Sequence, residues 1–255
     1  MATAIGPDTA SVLRVVSYNI RAGTDLHGQP NLERVAALLD SLGAEVVLLQ
    51  EVDRGTVRSG GVDQLGELER LTGMTGFFAA AMDFDGGEYG TALLSRHAIH
   101  DARSIPLPVR VTAELAHLYY EPRSLLNAVV ETPVGRIHVL GTHLAHQGGP
   151  SFRQPQMFQI LAYVAETVPA HMPVIFAGDL NATPDAPEIR ALSLHFTDAW
   201  LACGSGAGNT FPSDRPVRRI DYILTRGVHC SSAAVIATEV SDHRPLVADL
   251  RPNRR

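Results

Sequence analysis

The chain has no lysine; all 21 of its basic residues are arginine. Alanine is abundant as well, so we read this bias as a signature of genome composition rather than of function. Cysteine is scarce. Cys203 and Cys230 show neither a metal-ligand spacing nor a disulfide framework, and are expected as packed thiols. No apolar run nears the roughly 20 residues that span a bilayer, so no transmembrane segment is expected. The opening MATAIGPDTASVLRVVSYNIR lacks a basic segment ahead of an apolar one, so no signal peptide is expected and the cytoplasm is the default location. Excess positive charge is also missing. The net charge of −6 argues against broad nucleic-acid binding, which relies on a basic surface, though not against a local basic patch. No repeat, low-complexity block or linker interrupts the 255 residues. With 45% hydrophobic residues they suit one domain, 1–255, in which 1–11 form a flexible tail.

What is present is a succession of apolar strands that end in polar groups. The stretch Met172 to Ile189 is the clearest. Val174-Ile175-Phe176-Ala177 reads as a buried strand that stops at Gly178. Asp179 and Asn181 follow on alternate residues, which in extended geometry leave one face, and Thr183-Pro184 reads as the cap and first position of a short helix. The competing reading makes Asp179 a turn cap and Asn181 a left-handed turn residue.

The same grammar recurs along the chain. Val12 to Ser17 is a strand running into Asn19. Asn31 reads as the cap of a helix with Leu32, Val35, Ala36, Leu39 and Leu42 on one face, closed by Gly43. Glu45 to Gln50 returns as a strand and delivers Glu51, a carboxylate costly to place there unless it is paired, metal-bound or exposed. Asp63 to Thr72 reads as a helix, Phe77 to Met82 and Tyr89 to Ser95 as strands about an acidic loop at 83–88. Ile99 to Val109 is a strand whose prolines suggest an edge, and 113–120 is poorly defined. Leu125 to Glu131 and Arg136 to Gly141 form a hairpin that ends in His143. Arg153 to Val168 is a helix, and a loop of small and polar residues follows Trp200. Asp221 lies inside the strand 218–224, Val235 to Val240 is the next strand, and Asp242-His243 precedes the last, Leu246 to Leu250. Each polar group has an ordinary reading as a turn, cap or exposed residue. Eight of them at strand ends or within strands (Asn19, Glu51, His143, Asp179, Asn181, Asp221, Asp242, His243) are hard to explain by turns alone. If they converge, they offer carboxylates for a hard cation, histidines for proton transfer and asparagines for orientation.

SYNI at 17–20, LQEVD at 49–53, THL at 142–144, GDLNATPD at 178–185, RRIDYIL at 218–224 and SDHRP at 241–245 together resemble the endonuclease/exonuclease/phosphatase (DNase I-like) superfamily, and most of all its compact bacterial metal-dependent hydrolases. The six motifs follow the superfamily's order across almost the whole chain. The resemblance implies an α/β (α+β) fold, a four-layer α/β/β/α sandwich with two mixed β-sheets packed face to face. It implies hydrolysis of a phosphate ester with Mg²⁺ or Mn²⁺. Asn19 and Glu51 match metal-binding positions, and Asp242 adds a metal contact directly or through water. His243 matches the general base, held by Asp221. Asp179 and Asn181 match the pair that positions water and a phosphate oxygen. His143 matches the histidine that stabilises phosphate charge or protonates the leaving group, with Glu121 as its orienter. Arg21 and Arg123 match phosphate-contacting positions, for which the arginine fork is suited.

Substrate is read less directly. A repair nuclease is expected to carry basic and intercalating loops, whereas 83–88 and 202–210 are acidic or small, so nucleic acid is the less favoured partner. The EPRSLL stretch around Arg123 is similar to sphingomyelinase-like and small bacterial members, but no long apolar docking hairpin accompanies it. A small-molecule or lipid-headgroup phosphate ester is the leading expectation, and an endonuclease or exonuclease the alternative. A catalytically silent binding module of the same fold would have lost some of the eight positions, and none is lost.

Overall fold

A computed structural model describes residues 12–108 and 120–253. The expected tail at 1–11 and nearly all of the ill-defined stretch at 113–120 lie outside the described residues. In chain order the elements are β1 (Leu13–Asn19), α1 (Leu32–Ser41), β2 (Val46–Arg54), α2 (Gln64–Thr72), β3 (Thr75–Phe84), β4 (Gly87–Ser95), β5 (Ile99–Leu107), β6 (Arg123–Thr132), β7 (Gly135–His143), α3 (Pro150–Thr167), β8 (Val174–Asp179), α4 (Pro187–Leu192), β9 (Thr197–Asp198), α5 (Ala199–Cys203), β10 (Asp221–Arg226), β11 (Val228–Val235) and β12 (Leu246–Pro252).

The strands form two six-stranded sheets, ordered β11-β12-β1-β2-β4-β3 and β5-β6-β7-β8-β10-β9. Each is mixed: β1 and β2 run parallel, as do β7 and β8, while the remaining pairs are antiparallel. Alternation along each strand then sorts the apolar side chains into layers. Val15, Val46, Leu48 and Leu93 of the first sheet meet Leu126, Val139, Ile175 and Ile223 of the second in a shared core. Val16, Val47 and Leu49 point the other way, onto Val35, Leu39 and Leu68 of α1 and α2. Leu140, Phe176 and Leu224 do the same against Met157, Ile160 and Leu192 of α3 and α4. The result is the four-layer sandwich. β5 sits at a sheet edge, as its prolines imply.

Several local expectations differ from the structure. The acidic stretch 83–88 is no loop but the tip of the β3–β4 hairpin, with Asp85 and Gly86 at the turn, both at positive φ. Asn31 begins α1 without capping it by its side chain, and its Nδ2 donates to the Val240 carbonyl instead. The short helix after Asp179 is capped at Ala186 with Pro187 in its first turn, three residues beyond Thr183-Pro184, whose hydroxyl binds Asp185. The strand expected at Val235 to Val240 lies at 228–235. It is an edge strand with one open side, so its serines and His229 read from sequence like a loop, while Ile236 and Val240 pack without joining a ladder. The small-residue segment after Trp200 begins as α5, capped by Asp198.

The cysteines are the largest correction. Cys203 and Cys230 are joined in a disulfide, with Cα atoms 5.9 Å apart. It ties α5, which follows the edge strand β9 of one sheet, to β11, the edge strand of the other. Twenty-seven residues separate the pair, and only the closure of the sandwich brings them together. No helix among the described residues is long and apolar enough to cross a membrane.

Candidate active site

Glu51 within β2, the carboxyl ends of β7 and β8, and the loops before β10 and β12 open onto one cleft of about 360 Å³. In the second sheet, His143 is the register partner of Asp179, which is in turn the partner of Asp221. The three therefore stand side by side on one face. Asp221 is the first residue of β10 rather than an interior one, and its buried carboxylate meets His243, which lines the cleft. Gly178 permits this row. A side chain there would meet the Thr142 carbonyl oxygen at 1.9 Å, and its φ of 153° is rarely adopted by other residues. Asn181 does not continue in extended geometry. It adopts a left-handed conformation at φ 50°, yet its side chain still faces the site, its Nδ2 lying 3.0 Å from both the Leu144 carbonyl and His143 Nε2. The turn reading and the site reading of Asn181 are both correct.

In the first sheet a β-bulge does the aiming. The β2–β4 ladder slips between Leu49 and Val52, and Glu51 within the slip has φ 56°. A non-glycine residue in that region costs on the order of 1–3 kcal/mol. The strained backbone turns the Glu51 carboxylate toward Asn19, whose Nδ2 lies 2.9 Å from Glu51 Oε1 and 3.2 Å from Asp179 Oδ2. The amide thus bridges the two sheets. Ser241 donates to the Asn19 carbonyl at 2.8 Å and so fastens the loop carrying Asp242 and His243 to β1.

His243 divides its ring between two carboxylates: Nδ1 lies 2.9 Å from Asp221 Oδ2 and Nε2 3.7 Å from Asp179 Oδ2. Burial by itself lowers the His243 pKa, but Asp221, Asp179 and Asp242 outweigh it and raise it to about 10. Burial, reinforced by Asp221, pushes Asp179 up to about 7. His143 is the opposite case. Burial and then the Arg123 guanidinium hold it well below the ordinary histidine value, so it is neutral. Arg123 Nη1, which can only donate, is 3.1 Å from His143 Nδ1. The proton of the neutral ring must therefore sit on Nε2, facing Asp179 Oδ2 at 3.5 Å. Asn181 Nδ2 then donates to Leu144. His143 presents a donor to the cleft.

Other expected residues occupy different positions from those their motifs suggest. Glu121 reaches His143 only through Arg123, to which it is bonded at 2.6 Å. Arg123 is buried and lines the cleft. Arg21 stands at the margin, its guanidinium donating to the Asp25 carbonyl and lying 3.6 Å from Asp242. The cleft also has walls that sequence reading missed. Arg58, pinned by both oxygens of the buried Asp53, stacks over Phe84 at 4.5 Å. Phe211 packs against the His243 ring at 4.8 Å, and the exposed Arg218 lies over Phe211. These residues fall in loops or hairpin tips with no spacing pattern, and a sequence offers no signal that they face one cavity.

Glu51 is the observation that bears on a cation. The residue is half-buried, its carboxylate pushed toward the neutral form by desolvation, with an amide donor in Asn19 and no ion pair among the described residues. An oxygen-only set of Glu51 with the half-buried Asp242 suits a hard cation such as Mg²⁺. Asn19 in this orientation offers its nitrogen, because its Oδ1 accepts from the Arg21 amide at 3.0 Å. Asp179, Asp221 and His243 also have ligand-type atoms within 4.8 Å of one another.

The profile of the Endonuclease/Exonuclease/phosphatase family matches residues 16–243. Among solved structures, an endonuclease/exonuclease/phosphatase from Beutenbergia cavernae is similar at 25% identity and TM-score 0.81, over 94% of this chain and 72% of that one. A mannosyl-6-phosphatase from Bacteroides thetaiotaomicron shares the fold at 18% identity and TM-score 0.76, over 93% of this chain and 99% of that one. D. rerio TDP2 complexed with a single-strand DNA product shares it at 21% identity and TM-score 0.68, over 94% and 99%. With the match covering nearly the whole chain, from the end of β1 to the paired histidine before β12, the protein belongs to the endonuclease/exonuclease/phosphatase family.

Proposed function

We propose that the protein is a Mg²⁺- or Mn²⁺-dependent phosphoesterase that hydrolyses a small phosphate ester by in-line attack of water. One observation carries the reading: Asp179, Asn181 and His143 from one sheet, with Asp221 paired to His243 of the loop before β12, converge with Glu51 and Asn19 of the other sheet at a single cleft.

The geometry supports the following roles. His243 takes the proton of the attacking water at Nε2, and Asp221 holds the ring at Nδ1 and stabilises the imidazolium. Asp179, flanked by both histidines, and Asn181 hold the water and a phosphoryl oxygen in line. His143, with its proton fixed on Nε2 by Arg123, donates to a phosphoryl oxygen rather than acting as a base. Glu51 and Asp242 would hold the cation, with Asn19 fixing the Glu51 carboxylate. When bound, it supplies Lewis-acid neutralisation of phosphoryl charge and opposes the carboxylate field that otherwise keeps His243 protonated. No covalent enzyme intermediate is required.

A small ester is favoured over a polymer. Of the arginines at the cleft, Arg58 is neutralised by Asp53 and Arg123 by Glu121, which leaves Arg218 at the mouth. A nuclease reading draws on Phe211 and Phe84, aromatic faces that could stack a base. The disulfide favours an oxidising compartment over the cytoplasm. The test is turnover on a panel of bis-p-nitrophenyl phosphate, sugar phosphates, phosphoinositides, sphingomyelin and single-stranded DNA, with Mg²⁺ or Mn²⁺ and with EDTA. Metal-dependent turnover of small esters is expected; absence of metal-dependent turnover on every substrate would overturn the proposal.

A further inference from the structure

His243 has to reach across the sandwich to meet its carboxylate. It sits between β11 and β12, both strands of the first sheet, whereas Asp221 begins β10 of the second. The stretch 236–245 that carries it contains no helix or strand. A side chain on such a loop is placed only as well as the loop is held. Toward the first sheet the loop is tied at Val240, whose carbonyl accepts from Asn31, and at Ser241, whose hydroxyl donates to the Asn19 carbonyl at 2.8 Å.

The ties toward the second sheet converge on one residue. Ser213 lies between α5 and β10 and is 1% exposed. Its amide donates to the Asp242 carbonyl at 2.7 Å, its hydroxyl donates to the Ser241 carbonyl at 2.6 Å, and its carbonyl accepts from Arg244 Nε at 2.7 Å. All three polar groups of Ser213 are thus engaged by the residues that flank His243. Thr210 adds a further tie, its carbonyl accepting from the Arg244 amide at 2.8 Å, while its hydroxyl oxygen lies 3.4 Å from the amide nitrogens of Ile220 and Asp221. Phe211, between the two, packs its ring 4.8 Å from the His243 ring. Segment 210–213 therefore joins the loop that carries His243 to the start of the strand that carries Asp221. Among the described residues, the Ser213 hydroxyl is the one polar side-chain group of this segment bonded to the loop, so a substitution can remove it and leave the backbone ties in place.

We propose that Ser213 is a positioning residue for the reaction: it fixes the Ser241–Arg244 loop so that His243 Nδ1 meets Asp221 while Nε2 faces the cleft. His243 serves here as the general base of the proposed hydrolysis, and the role of Ser213 rests on that reading. Without the hydroxyl, the buried Ser241 carbonyl loses its donor, and the loop, still tied to Asn19, is free to draw back toward the first sheet. Displacing a catalytic group by about 1 Å can cost a factor of about 10² in rate.

Kinetics of Ser213→Ala, Ser213→Thr, His243→Ala and the Ser213→Ala/His243→Ala double variant, on whichever small ester wild type turns over, test this. Ser213→Ala is expected to lower kcat by about 10–10²-fold, with KM and the metal concentration for half-activation changed less than about twofold. Ser213→Thr, which keeps the hydroxyl, is expected to recover most of the lost rate. In the His243→Ala background, Ser213→Ala should lower the residual rate less than about twofold, because a residue that acts through the histidine has nothing left to position. A residue that merely supports the fold would lower the rate alike in both backgrounds. Ser213→Cys, close in shape and only a weak donor, takes the place of Ser213→Ala if the latter does not fold. A crystal structure of the variant should show His243 Nδ1 and Asp221 Oδ2 beyond hydrogen-bond distance. That readout needs no turnover, so it still decides the role of Ser213 if wild type is inactive and the proposed function falls. A normal kcat in Ser213→Ala beside an active wild type, an equal loss in the His243→Ala background, or an unmoved His243–Asp221 pair in the variant crystal would each overturn the proposal.

Discussion

The two walls of the cleft are built from the same materials and finished to different degrees. The wall from the second sheet is largely paired: His143 is held by Arg123, Arg123 by Glu121, Asn181 by Leu144, and His243 docks onto Asp221 from across the cleft, which leaves, among the described residues, only Arg123 Nε and Asp221 Oδ1 of the buried side-chain atoms in these groups without a partner. The wall from the first sheet is not. Glu51 is forced into a left-handed conformation by a bulge, half-buried, and given an amide for company. A desolvated carboxylate without a cation partner is costly, and here the backbone is strained to create one. The contrast separates preorganised proton and phosphate handling on one side from a cation site on the other.

The contrast can be broken by experiment. Largest in effect, His243→Ala should lower kcat by about 10²–10⁴-fold, the scale of lost general-base catalysis, with little change in the metal concentration for half-activation. A near-normal rate would remove His243 from that role. Next, Cys203→Ser removes the covalent tie between the two sheet edges. Closing a loop of this size is worth about 3–4 kcal/mol in the chain-entropy account, so equilibrium unfolding in urea should show a loss of that order, matched by reductant on wild type and absent for reductant on the variant.

Glu51→Gln should raise the metal concentration for half-activation by at least about tenfold while sparing kcat at saturation more than His243→Ala does. An unchanged metal dependence would place the cation on the other wall, at Asp179, Asp221 and His243. The smallest effect is on stability against pH in metal-free protein. His243 has its folded-state pKa raised from 6.5 to about 10, so the stability it contributes is complete below about pH 6.5 and is lost as pH rises through 10. The melting temperature should fall between pH 7 and pH 10, and His243→Ala should flatten that fall. A rise over the same window would contradict the carboxylate field around the ring.

Much of this was legible before any coordinates. Alternating and continuous apolar runs place nearly all the strands and the three longer helices, because burial of one face leaves a period in the chain. Polar residues that follow apolar runs single out Asn19, Glu51, His143, Asp179 and Asn181, of which Asn19, His143 and Asp179 are buried and Glu51 and Asn181 half-buried. β11 was misplaced because an edge strand needs little apolar signal on its open side. The Thr183 cap was misplaced because Thr183-Pro184 and Ala186-Pro187 offer the same proline cue three residues apart.

The sequence by itself determined the strand-and-helix inventory, the family motifs and the residue types available for chemistry, since these depend on local pattern. Only the tertiary structure decided which groups meet: the disulfide across 27 residues, Arg123 rather than Glu121 against His143, and the aromatic and arginine rim. Pairings of that kind arise from sheet register and face-to-face packing of strands distant in the chain, and register is a property of two strands that neither one encodes alone.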